Sequence, residues 1–179
     1  LPDAVRMNYE TLDENEGEKV EQQLTKPRAQ VDAFRIQEGK ALETDLRTNI
    51  ETILQLKKDI GPFENQRIEN IRARLTGNLE SLQMNGSVDA NRFEQELIFY
   101  IERLDFNEEK VRLENHCNYF VETLGDADSN GRKLSFISQE IGREINTIGS
   151  KANESNIQQI VVKMKDSLER IKEQVMNVL

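Results

Sequence analysis

From Ile157 to Val178 the apolar residues Ile157, Val161, Met164, Leu168, Ile171, Val175 and Val178 alternate steps of four and three without a miss. Such spacing draws one continuous apolar seam down one side of an α-helix, and its regularity is that of a coiled coil. A seam like this requires a facing helix, and the chain offers several. Leu134, Ile137, Ile141, Ile145 and Ile148 repeat the pattern over 131–151, Phe93, Leu97, Ile101 and Leu104 share a face, and Val31, Phe34, Leu42, Leu46, Ile50, Ile53 and Leu56 form a broken stripe. With only three prolines, no Trp, 6% aromatic and 32% charged residues, the composition favours long, thin helices over a sheet. The expected fold is all-α: long antiparallel helical hairpins with a C-terminal helical bundle and a coiled-coil-like last helix.

Punctuation places the elements. Pro27 is costly inside a helix and acceptable at its first turn, which predicts a short helix before it and a long one from 27 to about 58. Ile60-Gly61-Pro62 and Asn85-Gly86-Ser87 read as turns around a second helix. A third helix is predicted over 89–125, with a stripe that changes phase near Asp105: Phe106, Leu113, Cys117, Phe120 and Leu124 follow a different line, so that helix either bends or buries two faces. Gly125 to Gly131 reads as a loop, and Asn153-Glu-Ser-Asn as a cap for the last helix. The predicted organisation is an extended helical arm over 1–86 and a bundle over 87–179. The shifted stripe and the terminal seam are the expected subunit contacts.

Charge narrows the functional classes. Against 24 Lys and Arg stand 33 Asp and Glu, a net charge of −9, so non-specific attraction to nucleic acid or to an anionic membrane is disfavoured and any such role needs a local basic patch. No apolar run is long enough to span a bilayer, and the single cysteine, Cys117, has no partner for an internal disulfide. A cytoplasmic setting is expected. The Leu-Pro-Asp start suggests a fragment of a longer protein.

The most informative stretch is GRKLSFISQEIGREINTIGSK, residues 131–151. Beside its apolar stripe, Glu140, Glu144, Thr147 and Lys151 fall on one line, with Arg143 flanking them and Gln139, Asn146 and Ser150 on the adjoining one. Two carboxylates one turn apart can share a hard divalent cation, and a neighbouring Arg and Lys can hold a phosphate whose charge grows in a displacement. The plainer reading is a row of exposed ion pairs of small energetic worth. Gly142 and Gly149, each costing about 1 kcal/mol relative to Ala in a helix, predict the close approach of another backbone or a ligand. Gly39, beside Glu38 and Lys40, predicts a tight helix crossing. His116 is the one histidine, with Arg112 a turn before it and Glu109 a further turn back. It is able to serve as acid, base or ligand, or simply to sit half-buried. Cys117 shares the apolar line of Leu113 and Phe120 and reads as core.

The run NRFEQELIFYIERLDFNEEKVRLENH over 91–116, the stretch 131–151 and the closing KEQVMNVL together resemble the C-terminal domain of the YicC/YloC family of bacterial endoribonucleases, long described as stress-induced proteins. The Leu-Pro-Asp opening and Arg35 with Glu38-Gly39-Lys40-Ala-Leu42 look like that family's middle helical region. The resemblance implies a divalent-metal-dependent endonuclease acting on RNA rather than DNA, with no membrane partner. It also implies a ring-like homo-oligomer, a hexamer for the complete protein. Members carry a further N-terminal domain, opening on a Ser-Met-Thr-Gly-Phe-like motif absent from this sequence. The chain is therefore expected to be the middle and C-terminal part. Carried over, the signature falls on Arg92, Glu94 or Gln95 with Glu96, Glu109, Arg112 and His116, then on 131–151. By that resemblance Glu140 and Glu144, together with Glu96 or His116, hold Mn²⁺ or Mg²⁺. Glu140, Glu144, His116 and Lys151 are the expected catalytic residues, and Arg132, Arg143, Asn146, Ser150, Arg112 and Arg92 the expected RNA contacts. A variant uses the 2′-hydroxyl of RNA as nucleophile with His116 as base. Two readings of other classes compete: a non-catalytic oligomerisation scaffold, in which Asn146, Thr147 and Ser150 serve a hydrogen-bond network, and an RNA-binding regulator.

Overall fold

The computed structural model describes residues 14–83, 90–126 and 130–178. Every regular element among them is helical: α1 (Glu14–Asp59), α2 (Gly61–Gln83), α3 (Ala90–Arg103), α4 (Asn107–Leu124), α5 (Gly131–Ala152) and α6 (Ser155–Val175). The protein is all-α, as its composition and spacing require. Packing divides the chain after Ala41. The boundary expected at 86/87 lies outside the described residues.

In the first unit α1 runs without a break through Pro27, where two helices were expected. Proline removes one backbone donor and crowds the carbonyl four residues back, so the unbroken helix here carries a cost of about 3 kcal/mol. From Lys19 to Ala41 every residue is exposed, including Val31 and Phe34 of the predicted stripe. The crossing expected at Gly39 is not found among the described residues, since nothing beyond the helix's own nearby backbone lies within 4 Å of where a Cβ would stand.

The second unit begins at Leu42 and has one continuous core. Leu46, Ile50 and Ile53 from the later part of α1 join Leu113, Cys117 and Phe120 of α4, the isoleucines of α5 and the seam of α6. The α5–α6 pair is an antiparallel hairpin. Its turn uses Asn153 at φ 39° and ψ 36°, a left-handed conformation that Asn tolerates, and the Glu154 carboxylate caps α6 by accepting from the Ile157 N–H at 2.8 Å. The expected ligand or backbone at Gly142 and Gly149 turns out to be α6. A Cβ at Gly142 would stand 3.1 Å from Leu168 Cδ2, and one at Gly149 would stand 3.0 Å from Val161 Cγ1. Small residues therefore let the two helices close up on each other. The terminal seam, expected as a subunit contact, is instead buried within the chain: Ile157, Val161, Met164, Leu168, Ile171 and Val175 all lie in this core.

The predicted third helix is two helices. α3 ends at Arg103, and Asp105 Oδ1 then accepts from the Asn107 N–H at 3.2 Å and from its side-chain amide at 2.9 Å, a local turn that competes with continued helix. The phase change near Asp105 was the trace of this joint. Phe106, 2% exposed, turns into the core there, with the Arg67 guanidinium 4.8 Å and the Lys110 ammonium 5.6 Å from its ring centroid. Arg67 also donates to the Leu104 carbonyl at 2.5 Å, satisfying an acceptor at the end of α3, and Lys110 pairs with Glu64 of α2. Burial pulls Arg67 below its ordinary value, against the raising effect of the Glu64 and Asp105 charges.

Candidate functional site

Because α4 and α5 run antiparallel, the first turns of α4 lie beside the last turns of α5. Glu109 and Arg112, three apart, share the side of α4 that faces Glu144 and Lys151. Lys151 Nζ stands 2.8 Å from Glu109 Oε1 and donates to the Asp105 carbonyl at 2.8 Å, tying the end of α5 to the α3–α4 joint. Arg112 spreads over three carboxylates: Glu108 at 2.9 Å, Glu109 at 3.5 Å and Glu144 at 3.4 Å. Glu109 and Glu144 are both buried, whereas Arg112 and Lys151 reach solvent.

Glu109 is the hub of this cluster. Its Oε1 takes both cations, and its Oε2 is buried with no hydrogen-bond partner. Burial by itself would raise the Glu109 carboxyl, but the hydrogen bond from Lys151, a backbone hydrogen bond and the Lys151 and Arg112 charges together hold it below the usual carboxylate range. It is therefore ionised near neutral pH, with one oxygen to spare.

The structure brings only part of the expected set together. Glu144, Lys151 and Arg112 meet at Glu109. Glu140 does not join them, pairing instead with Arg143 at 2.7 Å on the exposed side of α5. Thr147 and Ser150 donate to carbonyls of their own helix, those of Arg143 and Thr147, at 3.1 and 2.9 Å, and Asn146 is exposed. Arg132 sits at the opposite end of α5 from Lys151, about 28 Å away at 1.5 Å per residue. Glu96 is exposed on α3, and Arg92 falls on α3 with its side chain outside the described residues. His116 is half-buried one turn beyond Arg112. Two partners central to the cluster, Glu109 as its hub and the Asp105 carbonyl, carry the geometry that sequence spacing assigned to Glu140. Glu109, Arg112 and His116 at steps of three and four were the available signal for α4, and the phase change near Asp105 the signal for the joint.

Among the described residues no group of three or more His, Cys, Asp or Glu side chains is placed to hold a metal ion, so the expected trio Glu140, Glu144 and Glu96 is not assembled. Glu109 and Glu144 do meet on one guanidinium, and the unpartnered Oε2 is a free oxygen donor. That donor set suits an ion of the Mg²⁺ type, which takes one or two carboxylates and completes its shell with water and phosphate oxygens.

Residues 60–179 match the family described as Endoribonuclease YicC-like, C-terminal. This chain belongs to that YicC-like family. A protein named "Probable endoribonuclease YicC" from Clostridioides difficile (strain 630) is 33% identical over 184 residues, covering 99% of this chain and 61% of that protein. A protein of the same name from Haemophilus influenzae is 32% identical over 145 residues, covering 81% of this chain and 50% of its own length. The chain thus spans about half to three-fifths of the YicC proteins it matches. The whole Glu109, Arg112, Glu144 and Lys151 cluster lies within the matched YicC-like C-terminal region. Among the described residues no helix is long and apolar enough to cross a membrane.

Proposed function

We propose that this chain is the middle and C-terminal part of a metal-dependent endoribonuclease, and that RNA is cleaved where the start of α4 meets the end of α5. The observation that carries the reading is the buried Glu109 carboxylate, with one oxygen bound to two cations and the other unpartnered, beside a second buried carboxylate. The name shared by the relatives supports the RNA phosphodiester as substrate.

In this reading the two cations and two buried carboxylates divide the work. Arg112, with a planar fork reaching solvent, binds non-bridging oxygens of the scissile phosphate. Lys151, held on the α3–α4 joint by the Asp105 carbonyl, supplies a second fixed charge toward the oxyanion that grows during displacement. Glu144 and Glu109 hold the guanidinium in position, and they are the residues that would hold a divalent ion. Such an ion supplies Lewis-acid charge and a more acidic bound water. In this reading His116, one turn along from Arg112 on the same helix, moves a proton.

The test is cleavage of structured RNA by the complete protein, carrying this chain with the remaining length its relatives have. Glu144→Gln and Glu109→Gln should each lower turnover at least a hundredfold in Mn²⁺ or Mg²⁺, and chelation should abolish it. Glu140→Gln should change it only a few-fold. Undiminished turnover in the Glu109→Gln, Glu144→Gln double variant would overturn the site. A 2′,3′-cyclic phosphate product end would show attack by the 2′-hydroxyl, and cleavage of a 2′-deoxy linkage would exclude it.

A further inference from the structure

Three residues, Leu104 to Phe106, join α3 to α4, and each is held by a side chain from another element. Arg67 of α2 donates to the Leu104 carbonyl at 2.5 Å, Lys151 of α5 donates to the Asp105 carbonyl at 2.8 Å, and the Arg67 guanidinium lies 4.8 Å from the centroid of the Phe106 ring. The carbonyl that Lys151 takes therefore lies between two points held by one side chain. Peptide units are planar, so the Asp105 carbonyl turns only by rotation about the soft bonds on either side of it. Such rotation shifts the Leu104 carbonyl or the Phe106 ring, and Arg67 restrains both.

Packing alone does not account for Arg67. Its side chain is buried, its Nε has no hydrogen-bond partner, and among the described residues no carboxylate stands within ion-pair distance of it. The nearby Glu64 pairs instead with Lys110. A buried cation without a contacting carboxylate is costly to desolvate, and an apolar side chain of similar length would cover Phe106 without that cost. What the guanidinium adds is a donor that fixes the peptide preceding Asp105.

Lys151 is the group that gains from a fixed joint. Its ammonium sits on a long flexible stem that is 32% exposed, and Glu109 Oε1 at 2.8 Å is its other acceptor. One carboxylate alone lets an ammonium swing around it. A second acceptor on the joint gives it a single direction, and a charge assists a growing oxyanion only if it is in place beforehand.

We propose that Arg67 is a positioning residue, which sets the Asp105 carbonyl and through it the Lys151 ammonium, so that the docking of α2 on the α3–α4 joint governs the second cation of the cleavage site. The catalytic meaning of this coupling rests on the nuclease reading given above. The coupling itself does not.

Two experiments keep these apart. In the first, the full chain is treated with acetic anhydride and the acetylation rate of each lysine is read by mass spectrometry. Arg67→Met should speed acetylation of Lys151 by about fivefold or more relative to the exposed Lys172, with Lys57 unchanged and the thermal transition still above the labelling temperature. Arg67→Lys retains a cation and a donor, and should speed it by about twofold, which also serves as the test should Arg67→Met fail to fold. No acceleration at Lys151 in a folded variant, or equal acceleration at Lys57, would overturn the proposal, the latter by showing a general loosening of the bundle. In the second, RNA cleavage by the complete protein is measured. Arg67→Met should lower kcat by about tenfold with KM little changed, and should lower it by less than about twofold when Lys151→Met is already present. Fully additive losses would overturn the coupling. An undiminished kcat in Lys151→Met would instead sink the cleavage site, and the acetylation rates would still decide the role of Arg67.

Discussion

The seam of α6 and the face of α1 formed by Val20, Leu24, Val31 and Phe34 share the same spacing, but Met164 and Ile171 are fully buried while Leu24 and Phe34 are each 62% exposed. The difference lies in what faces them. Opposite α6, Gly142 and Gly149 remove the side chains that would hold α5 away, so Val161 and Leu168 reach van der Waals contact with the neighbouring backbone. Opposite the first part of α1 no such surface is present among the described residues of its own unit. Heptad spacing thus states that a helix needs a neighbour, and the small residues of another helix decide which neighbour it gets.

The largest expected effect is on this contrast directly. Ile171→Ala empties a fully buried position and should cost about 2 to 5 kcal/mol, read as a lowered urea midpoint of the bundle. Leu24→Ala should leave that midpoint where it is. Equal losses from the two substitutions would mean that the seams are not different in kind.

Glycines sharpen the same comparison. A Cβ at Gly131 would stand 2.5 Å from the Val178 carbonyl oxygen, a backbone atom, so Gly131→Ala must displace the end of the chain and should cost about 1 to 3 kcal/mol. Gly39→Ala meets open space inside a helix and should stabilise that helix by up to about 1 kcal/mol. Circular dichroism during thermal unfolding separates the two signs.

Much of this architecture was legible because it follows from local chemistry. Helix period, Gly61-Pro62 and the polar loop before Gly131 place most ends within a residue or two. What escaped was long-range or energetic. At Asp105 the local turn onto Asn107 only competes with continued helix, and the break is completed when Phe106 is drawn between Arg67 and Lys110. The helix through Pro27 ran against propensity altogether. At the candidate site, spacing put Glu144 and Lys151 on one line and gave Glu140 equal standing. Only the packing of α4 against α5 shows that Glu144 turns toward Arg112 and Glu140 toward solvent.

Cys117 gives a chemical version of the inside–outside contrast. It is fully buried, and burial pushes its thiol up to about 12. The thiolate is the reactive form, so alkylation of the native chain should be far slower than that of the same chain in urea. Equal rates would mean that the core opens readily.

The two polar faces of α5 allow the finest test. Glu109 is held below the usual carboxylate range by Lys151 and Arg112 against the cost of its burial, so the stability it contributes is fully present above that range and is lost as pH falls through the depressed value. Lys151→Met leaves the buried carboxylate without its closest cation and should cost about 1 to 3 kcal/mol at neutral pH, with the difference from the unaltered chain narrowing in acid. Arg143 and Glu140 form a pair at 2.7 Å with side chains 72% and 40% exposed. Water and salt screen that pair, so Arg143→Ala should change stability by no more than about 0.5 kcal/mol and the change should vanish in high salt. If Arg143→Ala proved as costly as Lys151→Met, the distinction between an inner cluster and an outer ion pair on α5 would collapse, and with it the reason for preferring Glu109 and Glu144 over Glu140 as the carboxylates of the site.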